Sequence, residues 1–463
     1  VQARAHTGLK LGATPPLSLS RALPERSPMN MRRTAALVVL ASGPASAIDN
    51  GLGLTPPMGW RSWNLFGANV NQTLMERVMD GMVARKRMVD GKPTSLCDLG
   101  YCDVGLDDNW QECGAGSSGY NYHDAAGRPV INLERFPNMS AMTAKAHGLG
   151  LTAGWYLNNC ICSEGKAPTR YMYEQDVHFL TDVFRFDAVK LDGCGKQMDL
   201  DLWSQIINKT GRRVMIENCH WGKTVPREGW CPWNFFRTSY DVRASYASVV
   251  ANLLTTVQWA RKNLSRPGCW AYPDMLEVGC QHGPGGAGDP GLTFAEARSH
   301  FGAWSIVSSP LTLSHDVSDD AIGDKVWPII SNNEVIRVNQ AWAGHSGSPF
   351  KEADDHVHLE STEEERGEAV KRVERVKSWM YFYKPVGAGK VAVLMMNNAA
   401  KTLTLALDPQ DVPGLACTRC EARDLWNHRD MPPIEGHFQA DVESHDSVFL
   451  LLSPAPAPRV SYV

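Results

Sequence analysis

The sequence predicts a (β/α)8 barrel followed by an antiparallel β-sandwich. Three observations carry this. Between residues 55 and 340, short apolar runs alternate with longer stretches of helical period. Polar and acidic residues recur where those apolar runs end. After residue 345 the helical stretches stop, and short alternating runs separated by turn residues take over.

Eight runs read as barrel strands, in order "PPMGWRSW" (56–63), "GYCDVGLDD" (100–108), "LGLTAGWYL" (149–157), "FDAVKLD" (186–192), "RRVMIEN" (212–218), "WNFFRT" (233–238), "GCWAYPDML" (268–276) and "AWSIVSS" (303–309). Helical patterns lie between several of them, including 71–86 and 242–263. A doubly wound sheet would want a glycine-rich phosphate turn after its first strand, and "MGWRSWN" is not one. In the C-terminal part, 352–378 is charge-rich and reads as a solvated loop or exposed helix. The runs 378–385, 390–398, 402–408, 420–427 and 446–453 read as sandwich strands. The expected organisation is an upstream segment at 1–47, a barrel at 48–345, a β domain at 346–455 and a disordered tail at 456–463.

Composition narrows the class. The chain has 463 residues, 43% hydrophobic and 21% charged, with net charge −4, as expected of a globular protein without a basic footprint for nucleic acid. No apolar run reaches the ~18 residues of a membrane span. Residues 29–47 carry Arg32-Arg33, an apolar run and Ala45-Ser46-Ala47, the pattern of a secretory signal whose removal would leave Ile48 first. All 12 cysteines follow that point, and four Asn-x-Ser/Thr sequons occur at Asn71, Asn138, Asn208 and Asn263. Both features fit an oxidising, secretory compartment, extracellular or lysosomal/vacuolar. Cys160-x-Cys162 and Cys417-x-x-Cys420 have no histidine pair nearby at ligand spacing, so no metal is expected.

The strand ends hold the chemistry. Strand two ends in Asp107-Asp108, strand three near Tyr156, strand four in Lys190-x-Asp192, strand five at Cys219-His220-Trp221, strand six in Arg237 and then Asp241, and strand seven in Asp274. One strand-end Asp is an ordinary helix cap, but recurrence over six strands points to a site. Lys190 and Asp192 share one face of their strand, and the cation is expected to keep the carboxylate ionised. Two carboxyl groups, one nucleophile and one acid/base, are what a retaining glycosidase needs, and Asp192 with Asp241 are the candidates.

The segments "IDNGLGLTPPMGWRSWN", "GLDDNW", "VKLDGCG", "INKTGRRVMIENC", "RTSYDV", "PDMLEVG", "SIVSSPLTLSHD" and "VIRVNQ" follow in order from 48 to 340. In them the chain resembles family 27 of the glycoside hydrolases, the melibiases, and the likeness runs to about 455. The resemblance implies a barrel with a C-terminal antiparallel β domain and the release of terminal α-D-galactose from an oligosaccharide, glycolipid or glycoprotein glycan. No cofactor is implied, and the oligomeric state, a homodimer included, is left open. Residue by residue it makes Asp192 the nucleophile and Asp241 the acid/base. Asp107 and Asp108 would grip the axial O4 and the O6, Trp63 would form the wall under the sugar, and Tyr156, Lys190, Arg237 and Met275 would line the pocket. It also implies the disulfides Cys219–Cys231 and Cys417–Cys420, Cys194 with Cys162 or else Cys160, and a pairing of Cys269 with Cys280.

The chain departs from that pattern in four places. Asn109 stands where the family has a cysteine, and Tyr240 where it has a small residue. His220 and Trp221 match neither the galactosidase nor the N-acetylgalactosaminidase loop; His220 is expected to hydrogen-bond the sugar's 2-hydroxyl. Residues 279–291 look like an insertion at the pocket rim. α-N-Acetylgalactosaminidase and β-L-arabinopyranosidase are the neighbouring activities, and the intact Asp107-Asp108 pair favours galactose over arabinopyranose. A non-catalytic sugar-binding relative is the reading from a different class; the presence of both carboxylates argues against it.

Overall fold

In a computed structural model, residues 48–281, 291–365 and 368–455 are described. The signal-like segment 29–47, the tail 456–463 and most of 279–291 lie outside them.

Eight parallel strands form one sheet: β1 Met58–Arg61, β2 Asp103–Gly105, β3 Thr152–Leu157, β4 Ala188–Asp192, β5 Met215–Cys219, β6 Phe235–Arg237, β7 Trp270–Tyr272 and β8 Leu311–Leu313. They run in the spatial order β8-β1-β2-β3-β4-β5-β6-β7. The Leu276 amide donates to the Thr312 carbonyl at 2.8 Å, linking the segment after β7 to β8. That contact closes the sheet into a barrel, with the strand C-termini at one mouth.

Helix Gln72–Val83 shows why the outer layer forms. Asn71 caps it by accepting from the Leu74 amide at 2.9 Å, an interaction worth about 1 kcal/mol. Met75, Val78, Met79 and Met82 then make one buried stripe against the sheet. The pattern at 242–263 resolves into two helices, Tyr246–Leu254 and Val257–Arg261. Thr255 and Thr256 at the junction donate their hydroxyls to the Asn252 and Leu253 carbonyls, and such back-bonding competes with helix continuation.

Two expected elements differ. The eighth run, 303–309, is not a strand: helix Phe294–Ile306 takes most of it, and the strand begins at Leu311. Thr293 and Glu296 form a capping box that starts this helix, and its second half is buried on every side. A short run that is apolar all round has no period to separate strand from helix. The charge-rich stretch 352–378 is neither loop nor helix but a long antiparallel hairpin, His356–Glu365 with Glu368–Lys377. Val357 pairs with Val376, Leu359 and Val376 are buried, and Lys371 meets Glu360 across the strands at 2.8 Å. Cross-strand pairing uses charges that a solvated helix would also have carried.

The C-terminal domain is a six-stranded antiparallel sheet, in the order Ser348–Glu352, Trp379–Gly387, Lys390–Asn397, Ser447–Pro454, Arg419–Asp424 and Arg429–Glu435. A two-stranded sheet, Leu403–Leu407 with Phe438–Val442, packs on it to complete the sandwich. Alternation along Lys390–Asn397 explains its apolar run. Val391, Val393 and Met395 enter the sandwich core, while Ala392, Leu394 and Met396 join the barrel core with Phe301 and Trp304. Both faces are covered. Lys384 is also buried here, its Nζ donating to the Val338 and Asn339 carbonyls at the end of helix Asn333–Gln340.

The disulfides correct most of the expected pairing. Cys417–Cys420 is present, but Cys160 rather than Cys162 joins Cys194, and Cys162 joins Cys113. Cys231 pairs with Cys269, and Cys97 with Cys102. Cys219–Cys231 is not formed, nor is Cys269–Cys280; Cys219 and Cys280 are free and buried. The reason is geometric. Cys231 and Cys269 precede β6 and β7, so they meet at the N-terminal end of adjacent strands. Cys219 ends β5 and Cys280 follows β7, which puts both at the opposite end of the barrel. We predict that unfolding without reductant exposes two titratable thiols, and that peptide mapping assigns them to Cys219 and Cys280.

Candidate active site

The mouth of the barrel holds a pocket lined by Trp63, Asn64, Asp107, Tyr156, Cys160, Lys190, Asp192, Trp221, Arg237, Asp241, Asp274 and Met275. Each residue comes from the end of a barrel strand or the segment just after it. Parallel register sets Tyr156 beside Lys190, Lys190 beside Glu217, and Asp192 beside Cys219. The strand period then aims Lys190 and Asp192 to the same side.

The charges form a chain of alternating sign. Arg61 reaches Glu217 at 2.8 Å and Asp107 at 3.8 Å. Lys190 reaches the same Asp107 oxygen at 2.8 Å and Asp192 at 4.0 Å. Across the pocket, Arg237 holds Asp241 at 2.9 Å and Asp274 at 3.1 Å. All of these groups are buried except Asp241, whose side chain is 38% exposed. A buried charge left unpaired costs several kcal/mol, so each member requires its neighbours.

Carboxylates outnumber cations in this chain, and the protonation equilibria follow. Burial pushes the Asp192 carboxyl up to about 6; Lys190 pulls it down, Asp107 and Asp241 push it up, and the Tyr156 hydroxyl hydrogen-bonds its charged form. The expectation that Lys190 would set a low value therefore does not hold, because desolvation outweighs one cation at 4.0 Å. Asp241 is the reverse. Its partial desolvation alone would raise its pKa, but Arg237, Lys190 and Arg243 together bring it below the ordinary range. Lys190 loses by desolvation, but Asp107, Asp192 and Glu217 together return more, so it stays an ammonium.

Two expected binding residues lie outside the pocket lining. Asp108 accepts from the Cys160 and Ile161 amides at 3.0 and 2.9 Å and from the Asn109 amide at 2.7 Å. Its carboxylate anchors the loop after β3. His220 turns its Nδ1 to the Thr224 hydroxyl at 2.8 Å, and burial pushes its pKa down to about 4. Trp221 takes the place at the pocket, with its backbone in the left-handed region at φ 49°. It lies near parallel to Tyr240, ring centroids 6.4 Å apart, and the Lys223 ammonium sits 5.1 Å from its ring. Tyr240 is 69% exposed, so the pair makes an aromatic lip beside Asp241.

Three lining residues were not among the expected site. Asp274 was visible only as a polar strand end. Asn64 donates to Glu277 at 2.5 Å, and burial pushes that carboxyl up to about 8. Cys160 reaches the pocket through its bond to Cys194, and the Cys194 amide donates to Asp192 at 3.2 Å. No local sequence signal marks the last two.

Comparison with known proteins agrees with this architecture. The chain is 30% identical over 420 residues to the α-galactosidase of Coffea arabica, covering 88% of this chain and 96% of that one. It is 29% identical over 415 residues to the α-galactosidase of Cyamopsis tetragonoloba, covering 88% of each. The crystal structure of α-galactosidase I from Mortierella vinacea superposes with a TM-score of 0.69 at 23% identity, over 88% of this chain and 99% of that one, and so shares the fold. The family model described as alpha galactosidase A matches residues 55–341, and that of the alpha galactosidase C-terminal beta sandwich domain matches 377–452. With barrel, sandwich and carboxylate-lined mouth in that arrangement, the chain belongs to the α-galactosidase family of glycoside hydrolases.

Proposed function

We propose that the protein is a retaining glycoside hydrolase that releases terminal α-D-galactose from an oligosaccharide or glycoconjugate. The observation that carries this reading is the pocket in which Asp192 and Asp241 face one another's charge among Trp63, Met275, Asp107 and Lys190. A pyranose has apolar C–H faces and polar edges, and a lining that combines Trp63 and Met275 with Asp107 and Lys190 suits both.

Asp192 acts as nucleophile on the anomeric carbon. Lys190 compensates its charge until the glycosyl ester forms. Asp241, at the open side of the pocket, gives a proton to the leaving oxygen. It then takes one from water, which releases galactose with its α configuration kept. The leaving group departs past the Trp221–Tyr240 lip. Five disulfides fit an oxidising compartment, and 29–47 would supply the secretory address.

Discrimination at the sugar's 2-position is assigned to Trp221 rather than His220, since only Trp221 lines the pocket. A panel of p-nitrophenyl α-galactoside, α-N-acetylgalactosaminide and β-L-arabinopyranoside tests the reading. The galactoside is expected to be the best substrate, and its failure to be cleaved would refute it. Trp221→Ala should move the galactose-to-N-acetylgalactosamine ratio, and His220→Ser should leave it unmoved. Asp241→Asn should slow unactivated substrates by about 10²–10⁴-fold and activated aryl galactosides far less.

A pH dependence follows from Asp192. The nucleophile must be ionised, and its carboxyl titrates near 6. With a dinitrophenyl α-galactoside, whose leaving group needs no proton, activity should fall as the pH drops through about 6, and a kcat/KM profile for that substrate flat down to pH 4 would contradict that value.

A further inference from the structure

Asp241 poses a physical problem. As acid it must carry a proton to the leaving oxygen, yet its carboxylate is bound to Arg237 at 2.9 Å, a contact that favours the ionised form. Something must weaken the hold of that guanidinium. The structure places one group to do so.

Asp274 is 2% exposed and follows β7 in the left-handed region at φ 92°, a conformation that costs a non-glycine residue and persists where the surroundings impose it. Its two oxygens have separate tasks. Oδ1 meets the other nitrogen of Arg237, Nη1, at 3.1 Å. Oδ2 accepts from the Val242 amide at 2.9 Å, the residue next to Asp241. The Asp274 carbonyl accepts from the Trp304 indole at 2.6 Å, which fixes the backbone from the far side. Asp274 therefore touches Asp241 through two routes, one electrostatic and one covalent.

We propose that Asp274 is a positioning residue for the acid/base: it takes up half of the Arg237 guanidinium and pins the chain at Val242, leaving Asp241 able to hold and deliver a proton. This rests on the reading of Asp241 as acid/base. The charges that face Asp241 are Arg237, Lys190 and Arg243 on the positive side, and Asp192 and Asp274 on the negative side. Those facing Asp274 are Arg237 and Lys190 against Asp241 and Glu277. Removing the Asp274 charge deletes a repulsion on ionised Asp241 and gives it a larger share of Arg237. Both effects lower the pH at which Asp241 loses its proton.

The test is Asp274→Asn, which keeps the shape and an oxygen for the Val242 amide. At neutral pH kcat/KM for methyl α-galactoside should fall about tenfold, the loss expected when Asp241 gives up its proton about one pH unit lower. A dinitrophenyl α-galactoside, which needs no proton, should lose far less. Asp274→Glu should bring the methyl α-galactoside rate back toward the wild type. If the Asn protein does not accumulate, the Glu and Gln variants differ by charge alone and give the same comparison. An unchanged methyl α-galactoside rate, or an equal loss on both leaving groups, would make Asp274 merely structural and overturn the proposal. Wild-type enzyme inert on every α-galactoside would instead refute the function itself.

Discussion

The site depends on the ammonium of Lys190, held in the barrel mouth between Asp107 at 2.8 Å and Asp192 at 4.0 Å. A lysine buried this deeply keeps its charge only because those carboxylates surround it. The reverse also holds: without the cation, Asp107 and Asp192 would be two like charges in a dry pocket. Arg61 with Glu217 extends the chain on one side, and Arg237 with Asp241 and Asp274 mirrors it on the other. Burial leaves Asp192 with a raised pKa despite Lys190, a carboxylate less hydrated and more basic than one at the surface.

The remaining architecture keeps that chain in register. Parallel pairing sets the heights of Tyr156, Lys190 and Glu217, and Asp192 follows at the end of β4. Cys113–Cys162 and Cys160–Cys194 tie the segments after β2, β3 and β4 to one another, and Asp108 anchors the same loop through its amides. Cys231–Cys269 staples the opposite end. The sandwich shares the barrel's core through Leu394, Met396 and Phe449.

Much of this is legible in the sequence, because a parallel strand announces its own functional end. Asp107, Tyr156, Lys190, Asp192, Arg237 and Asp241 are read from that rule and the family likeness, and the structure brings all six to one pocket. What escapes is set by contacts distant in sequence or by backbone angles. Cys219 and Cys231 are twelve positions apart yet lie at opposite ends of the barrel. His220 and Trp221 are neighbours, and a left-handed φ at Trp221 decides which one meets the pocket. The run 303–309 is buried on all sides and carries no period. The hairpin 356–377 hides its alternation under charge. Asp274 looks like any strand-end carboxylate until its two oxygens are seen on Arg237 and Val242.

Asp192, poised by Lys190, is proposed to form a covalent bond to the sugar. Trapping with a 2-deoxy-2-fluoro-galactosyl fluoride, followed by peptide mapping, tests it directly. One fluorogalactosyl ester per chain is expected, on the peptide carrying Asp192, with slow recovery of activity as the ester turns over. A label on Asp241 or Asp107, or no adduct from an enzyme that hydrolyses galactosides with inversion, would contradict it.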